Sequence, residues 1–210
     1  AQNELGRLYL NGYGVTKNFS LAFYWFTQAA EQDNHRAQTN LGSMFHNGYG
    51  RPKDNKEAFY WYKKGAEGGN LTAQTRTGYF YYEGIGISKN EIEAIYWYKK
   101  AAERGDDLAQ YNLGYIYYKK EFFTSSSIWF KKSAENGNQH AQLILGIGHI
   151  EGTGGFHKDF QTGYDWLEKS AKQDNENAIN YLDKLSNSSA QIEEPKTPAQ
   201  IALLERAKEI

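Results

Sequence analysis

The sequence predicts an all-α repeat protein, a solenoid of stacked helix pairs. Three observations carry that expectation. The five tryptophans, Trp25, Trp61, Trp97, Trp129 and Trp166, follow one another at steps of 36, 36, 32 and 37 residues. A small-residue opening recurs with them as Ala1-Gln2…Leu5-Gly6, Ala37-Gln38…Leu41-Gly42, Ala73-Gln74…Gly78, Ala109-Gln110…Leu113-Gly114 and Ala141-Gln142…Leu145-Gly146. Paired glycines punctuate the units at Gly12-Tyr13-Gly14, Gly48-Tyr49-Gly50 and Gly84-Ile85-Gly86. A fixed period of this length marks a repeat architecture, in which each unit buries its apolar face only against its neighbours. Function is therefore expected on a surface rather than in a cleft.

Composition narrows the classes. The 210 residues hold 24 Lys plus Arg and 25 Asp plus Glu, a formal charge of −1, so no strong field is available for phosphate backbones or anionic lipid. There is no cysteine, which excludes disulfides, thiolate metal sites and cysteine nucleophiles. No stretch approaches the ~18 uncharged apolar residues of a membrane span. No signal peptide is visible. The chain opens inside a repeat, however, so a targeting segment ahead of Ala1 stays open. Aromatic residues make up 16% of the chain, with 17 tyrosines, as expected where thin helical layers meet through flat rings.

The unit from Ala37 to Thr72 serves as the type. Its first helix carries the Ala and, five residues later, a glycine. A mid-helix glycine costs ~1 kcal/mol relative to alanine, and its recurrence points to close helix–helix approach. The paired glycines end this helix and permit positive φ in the turn. They read as a connection rather than a phosphate cradle, because no P-loop lysine follows. Asp54 with Glu57, and Asn90 with Glu93, form capping-box patterns at the start of the second helix. Asn18 and Asp159 stand at the equivalent caps. The body of that helix sets a tryptophan beside the small pairs Ala29-Ala30, Gly65-Ala66, Ala101-Ala102, Ser133-Ala134 and Ser170-Ala171, which predicts knob-and-hole packing with tryptophan as the knob. Gly69, Gly105 and Gly137 close three of these helices. The lysine pairs at 63–64, 99–100 and 131–132 read as a solvated convex face.

The combined pattern, Ala-x-x-x-Leu-Gly-x-x-Tyr-x-x-Gly-x-Gly-Val followed by Ala-x-x-Trp-Tyr-x-Lys-Ala-Ala-Glu-x-Gly-Asn/Asp, resembles the Sel-1-like repeat, a relative of the tetratricopeptide repeat. The resemblance covers residues 1–185, with units opening at 1, 37, 73, 109, 141 and 178. It implies a right-handed α/α superhelical solenoid of five full helix-pair repeats plus a terminal partial repeat, with the first helix of each pair lining the concave side. It also implies a role in recognising other proteins, in bacterial envelope or secretion-related settings. A periplasmic or exported location is accordingly preferred to the cytoplasm. One branch of the family carries a cysteine pair in each repeat; this chain has none, and nothing particular to that branch carries over.

The repeat breaks in instructive places. In the fourth unit Tyr117-Tyr118-Lys119-Lys120-Glu121-Phe122-Phe123 replaces the glycine loop, and Phe122 and Phe123 are expected to fill the resulting gap rather than stand exposed. The fifth runs one residue long through Gly152–His157. The sixth opens at Ala178 and has Asp183 in place of the glycine, as fits a last helix with no successor. Residues 186–198, rich in Ser, Asn and Glu with two prolines, read as a linker. Residues 199–210 read as a short helix that caps the stack, begun by Thr197-Pro198.

Candidate binding residues lie on the first helices, outside the packing set. Six and nine residues after each opening alanine stand Arg7 and Leu10, Ser43 and His46, Tyr79 and Tyr82, Tyr115 and Tyr118, and Ile147 and Ile150. Members of each pair share a helix face, so the pairs predict two parallel rows, a Tyr-rich amphipathic strip suited to a protein partner. The same positions serve packing equally well, and both readings stand at this point. Arg76, Tyr111 and Asn112 are expected to flank the strip, exposed. The five histidines show no metal-ligand spacing, and Ser125–Ser127 lack a nucleophile-elbow context. The sequons at Asn18, Asn70 and Asn187 matter only in a glycosylating host. No nucleic-acid motif is present.

The expected function is non-catalytic: a monomeric protein-interaction module, without cofactor or metal, binding a partner protein on its concave face. That partner is expected to be a toxic effector, making the chain an immunity protein, or an envelope or secretion component, making it an adaptor. A cell-wall-directed hydrolase and a self-associating scaffold are the alternatives.

Overall fold

A computed structural model describes residues 1–189. The described residues form eleven α-helices and no strand. They run as α1 (Gln2–Asn11) with α2 (Phe19–Ala30), α3 (His35–Asn47) with α4 (Asn55–Glu67), α5 (Leu71–Glu83) with α6 (Glu91–Ala102), α7 (Asp107–Lys119) with α8 (Phe123–Glu135), α9 (Gln139–Glu151) with α10 (Phe160–Ala171), and finally α11 (Glu176–Ser189) alone. This is the all-α series of five helix pairs and a terminal half-pair that the period predicts.

Local chemistry sets the ends. Asn18, Asp54, Asn90 and Asp159 accept hydrogen bonds from backbone N–H groups in the first turns of α2, α4, α6 and α10, satisfying donors that the helix leaves open. The first helices have a cap series of their own: Asn34, Asn70, Asp106 and Asn138 accept from the N–H of Ala37, Ala73, Ala109 and Ala141. These helices therefore begin two residues ahead of the repeat's opening alanine. Gly12, Gly48, Gly84 and Gly152 end α1, α3, α5 and α9 in the left-handed region. Gly86 is the second glycine of the third repeat's loop. Its φ is +72°, and a Cβ there would stand 2.5 Å from the backbone of Asn55, at the start of the preceding repeat's second helix.

The backbone divides into two compact units, Ala1–Gln110 and Tyr111–Ile210, with the boundary inside α7. In the first unit Ala22, Phe26, Leu41, Met44, Tyr62 and Phe80 form the main core, and Ala66, Ala73 and Trp97 a smaller one. In the second, Phe130 and Leu145 centre one cluster, and Tyr164, Leu167 and Leu182 another.

The expected knob is displaced by one residue. The ring that packs on the repeat's glycine belongs to the residue after tryptophan. A Cβ on Gly6, Gly42, Gly78 or Gly114 would stand 2.5, 2.8, 2.8 and 2.8 Å from the rings of Phe26, Tyr62, Tyr98 and Phe130, and one on Gly146 would stand 2.6 Å from Leu167. Trp25, Trp61, Trp129 and Trp166 are half-buried, and Trp97 alone of the five is buried. Tyr24, Tyr60 and Tyr96 each meet the following indole edge-on at 5.1 Å. Lys64, Lys100, Lys132 and Lys169 cover the indoles of Trp61, Trp97, Trp129 and Trp166. A single step along a helix turns the side chain by about 100°, enough to exchange the buried knob for its half-exposed neighbour.

The recurring glutamine has a role that composition does not reveal. Gln38, Gln74, Gln110 and Gln142 are buried, and each donates its Nε2–H to the carbonyl oxygen of Ala30, Ala66, Ala102 or Ala134, at 3.0–3.2 Å. The amide so ties each first helix to the end of the helix before it, as a second donor to a carbonyl that also accepts the backbone N–H of Asp33, Gly69, Gly105 or Gly137.

At the shortened fourth repeat, α7 and α8 are joined by a tight turn in which Glu121 has φ +61°, and α8 starts without a side-chain cap. Phe122 and Phe123 do not fill a gap: they are 58% and 39% exposed. Their rings lie 6.4 Å from Tyr117 and 5.7 Å from Tyr118, respectively, because a turn this short leaves no interior volume for them. Ser126 takes the place held by Ala58 and Ala94 in earlier repeats, and its buried hydroxyl donates to the carbonyl of Gly114 at 2.9 Å. In the last repeat Asp183 is exposed. Helix α11 continues to Ser189, past the expected start of the linker at residue 186. The rest of that segment and the expected helix at 199–210 lie outside the described residues.

Candidate functional site

The predicted rows are placed unevenly. In the first unit Arg76 and Tyr79 are exposed, and Tyr82 is half-buried beneath the ammonium of Lys89, 4.9 Å from its ring. His46 is half-buried. Its Nδ1 pairs with Asn55 Oδ1 at 3.0 Å and its ring meets Phe80 edge-on at 5.2 Å.

In the second unit four of the predicted residues converge. Tyr111, Tyr115 and Tyr118 on α7 and Ile147 on α9 line one groove of about 310 Å³, with Ile144 beside them and Phe130 and Phe156 beneath. Tyr115 is 39% and Tyr118 44% exposed. Tyr111 and Asn112, expected to be exposed, are half-buried. The Tyr111 ring leans on Phe130 at 5.8 Å and on His140 at 6.0 Å. Burial, and secondarily the neighbouring Tyr115, raises its phenol above the usual range. Ile150 leaves the row. It packs in the core against α10, where a Cβ on Gly163 would stand 2.7 Å from its Cγ1.

Two residues shape this groove without having been singled out by the pattern. Gly148 occupies the place that Met44, Phe80 and Ile116 fill as core residues in earlier repeats. The vacated volume is taken by Phe156, whose ring lies where a Cβ of Gly148 would be. His149 anchors the loop that delivers it, with Nδ1 2.8 Å from the carbonyl oxygen of His157 and its ring 5.3 Å from Phe156. The sequence signal was there: a second glycine two residues after Gly146, coupled to the one-residue extension of the following loop.

Among the described residues that line the groove, Glu151 is the ionisable group besides the phenols. Glu151 accepts a hydrogen bond from the Tyr181 hydroxyl at 3.0 Å. Burial, then this carboxylate, pushes the Tyr181 phenol up to about 12. Among the described residues no three His, Asp or Glu side chains group as a metal site requires, and no helix is long and apolar enough to cross a membrane.

A series of helix pairs, each packing a bulky side chain on the glycine of its first helix and presenting side chains along its first helices, defines a protein-interaction scaffold of the helical-repeat class. The chain belongs to the Sel1 repeat family: the family model matches residues 1–34, 35–70, 71–106, 107–119, 128–138 and 139–185. The unmatched stretch between 119 and 128 is the shortened turn and the uncapped start of α8. No curated protein matches the sequence. Among solved structures, a Sel1 repeat protein from Oxalobacter formigenes is 34% identical over 98% of this chain and 83% of its own, with a TM-score of 0.82. A protective antigen of uropathogenic Escherichia coli displaying an SLR fold is 30% identical, with a TM-score of 0.83. The match covers 99% of this chain, which spans 45% of the E. coli protein's length. An immunity protein of Pseudomonas aeruginosa shares the fold at 19% identity and a TM-score of 0.59, over 84% of this chain and 69% of its own.

Proposed function

We propose that the protein is a non-catalytic binding module that takes an apolar segment of a partner protein into the groove of α7 and α9. The observation that carries the proposal is the partial exposure of Tyr115 and Tyr118 over a floor of buried Phe130 and half-buried Phe156. Aromatic side chains of this kind supply large contact area at little cost in conformational entropy. α7 and α9, which carry the groove, are capped by Asp106 and Asn138, so little order has to be gained on binding. Against a hydrolase, His149 and Glu151, the acid–base candidates nearest the groove, are held in structural hydrogen bonds to His157 and Tyr181.

The two roles for such a module are neutralisation of one toxic effector and service as an adaptor for envelope or secretion components. Affinity capture from the native organism, using the wild-type protein and a Tyr115→Ala/Tyr118→Ala variant, tests the proposal. One stoichiometric partner lost with the variant supports the groove and the effector role; several partners lost together support the adaptor role. Retention of every partner by the variant removes the groove as the site.

A further inference from the structure

The first unit carries a second surface of different chemistry. A hollow of about 680 Å³ is lined by Asp33, His35, Arg36 and Arg104, with the glycine pair Gly68-Gly69 and the first turn of α5. A second hollow of about 260 Å³ shares Arg36, Asn70 and Thr72 with it and adds Arg7, Thr39 and Asn40. The two hollows adjoin along these shared residues as a polar trough at α1, α3 and α5. Three guanidiniums and one imidazole line it against a single carboxylate, that of Asp33. Asp33 also feels the ammonium of Lys64. Arg7 is paired with Glu4 at 2.9 Å. Among the described residues neither Arg36 nor Arg104 has a carboxylate partner. Arg104 is nevertheless held in place, its Nη1–H donating to the carbonyl oxygen of Gly69 at 2.6 Å. His35 is fixed as well, with Nδ1 3.1 Å from Gln38 Oε1 and its ring seated against Gly68.

With Arg7 balanced by Glu4, the guanidiniums of Arg36 and Arg104 face the carboxylate of Asp33 alone, a local excess of positive charge in a chain that carries −1 overall. The first turns of α3 and α5 open into the same trough, so the backbone potential has the same sign. We infer that the trough is a docking site for an acidic segment of a partner protein, whose Asp or Glu side chains pair with Arg36 and Arg104. Guanidiniums match carboxylates bidentately, and two adjoining hollows, one lined by both Arg36 and Arg104 and the other by Arg36, suit a run of acidic side chains better than one small anion. The site lies wholly within Ala1–Gln110 and is independent of the aromatic groove.

Fluorescence anisotropy with a labelled oligoglutamate peptide, and an oligolysine peptide as sign control, tests this. The wild-type protein is expected to bind oligoglutamate and not oligolysine, with affinity falling as salt is raised. Arg36→Gln, at an exposed position without a salt bridge, is expected to weaken binding on the order of tenfold, with an unchanged melting temperature. Arg104→Gln should act in the same direction, and Tyr115→Ala should have no effect, which separates this site from the groove. No oligoglutamate binding at low salt, equal binding of oligolysine, or unaltered affinity in Arg36→Gln would overturn the proposal. Displacement of the peptide by millimolar inorganic phosphate at constant ionic strength would overturn it too, assigning a small-anion site instead.

Discussion

Tyr98 lies against the backbone of Gly78, so closely that a Cβ on the glycine would stand 2.8 Å from ring carbon Cδ1. The same contact joins helices within the other described pairs, with Phe26, Tyr62, Phe130 and Leu167 as partners of the repeat's glycine. The helical glycine weakens its own helix by ~1 kcal/mol, and the close approach it allows offsets that cost through burial of a whole ring. Gly78→Leu is therefore expected to destabilise the protein by roughly 1–3 kcal/mol through overpacking, read as a lower urea midpoint. An unchanged midpoint would show that the helices can separate freely at this contact.

The one-residue displacement of the knob makes a comparative prediction. Phe26 is fully buried, whereas Trp25 is half-buried. Phe26→Ala should cost about 3–5 kcal/mol, and Trp25→Ala distinctly less despite removing the larger side chain. Chemical denaturation of both variants checks the order. A larger loss at Trp25 would restore tryptophan as the central packing residue.

Gly148 and Phe156 should behave as a coupled pair. Each single change, Gly148→Ala or Phe156→Ala, is expected to destabilise, the first by crowding the ring and the second by emptying its place. In the double variant the added methyl meets no ring, so the losses should fall short of additivity by about 0.5–3 kcal/mol. Strict additivity in a double-mutant cycle would mean that the loop places Phe156 elsewhere.

Tyr181 gives a pH signature. Its phenol is raised to about 12 in the folded protein, above the ~10 of an unfolded chain. The folded state thus holds its proton more tightly, and the associated stability is complete below about pH 10 and is lost as pH rises toward 12. Burial also raises the phenols of Tyr62, Tyr98 and Tyr111, so ultraviolet titration should show several late-ionising tyrosines, of which Tyr181→Phe removes one and Glu151→Gln shifts that one downward. Ionisation of every exposed tyrosine near the ordinary value, with no late component at position 181, would contradict the contact with Glu151.

Much of the fold was legible because its determinants are local. Asn18, Asp54, Asn90 and Asp159 cap helices through bonds spanning two or three residues, and Gly12, Gly48 and Gly84 need only their own positive φ. The binding strip was legible only in part. Tyr115, Tyr118 and Ile147 do share a groove, but His46 and Ile150, at equivalent positions in the pattern, are drawn into internal contacts. The cap series at Asn34, Asn70 and Asn138 was also within reach of the sequence, hidden only because each unit was taken to open at its alanine.

The sequence by itself determined the period, the helix ends and the places where the repeat would falter. Tertiary structure decided which of two adjacent aromatic residues became the knob, what the buried glutamines hold, and where the rows open into a groove. The physical reason is one of range. A cap or a turn is settled by residues within a few positions, whereas the face a side chain buries is settled by its neighbour's shape. Phe26 meets Gly6, and Phe156 meets the space left by Gly148, only once the helices have come together.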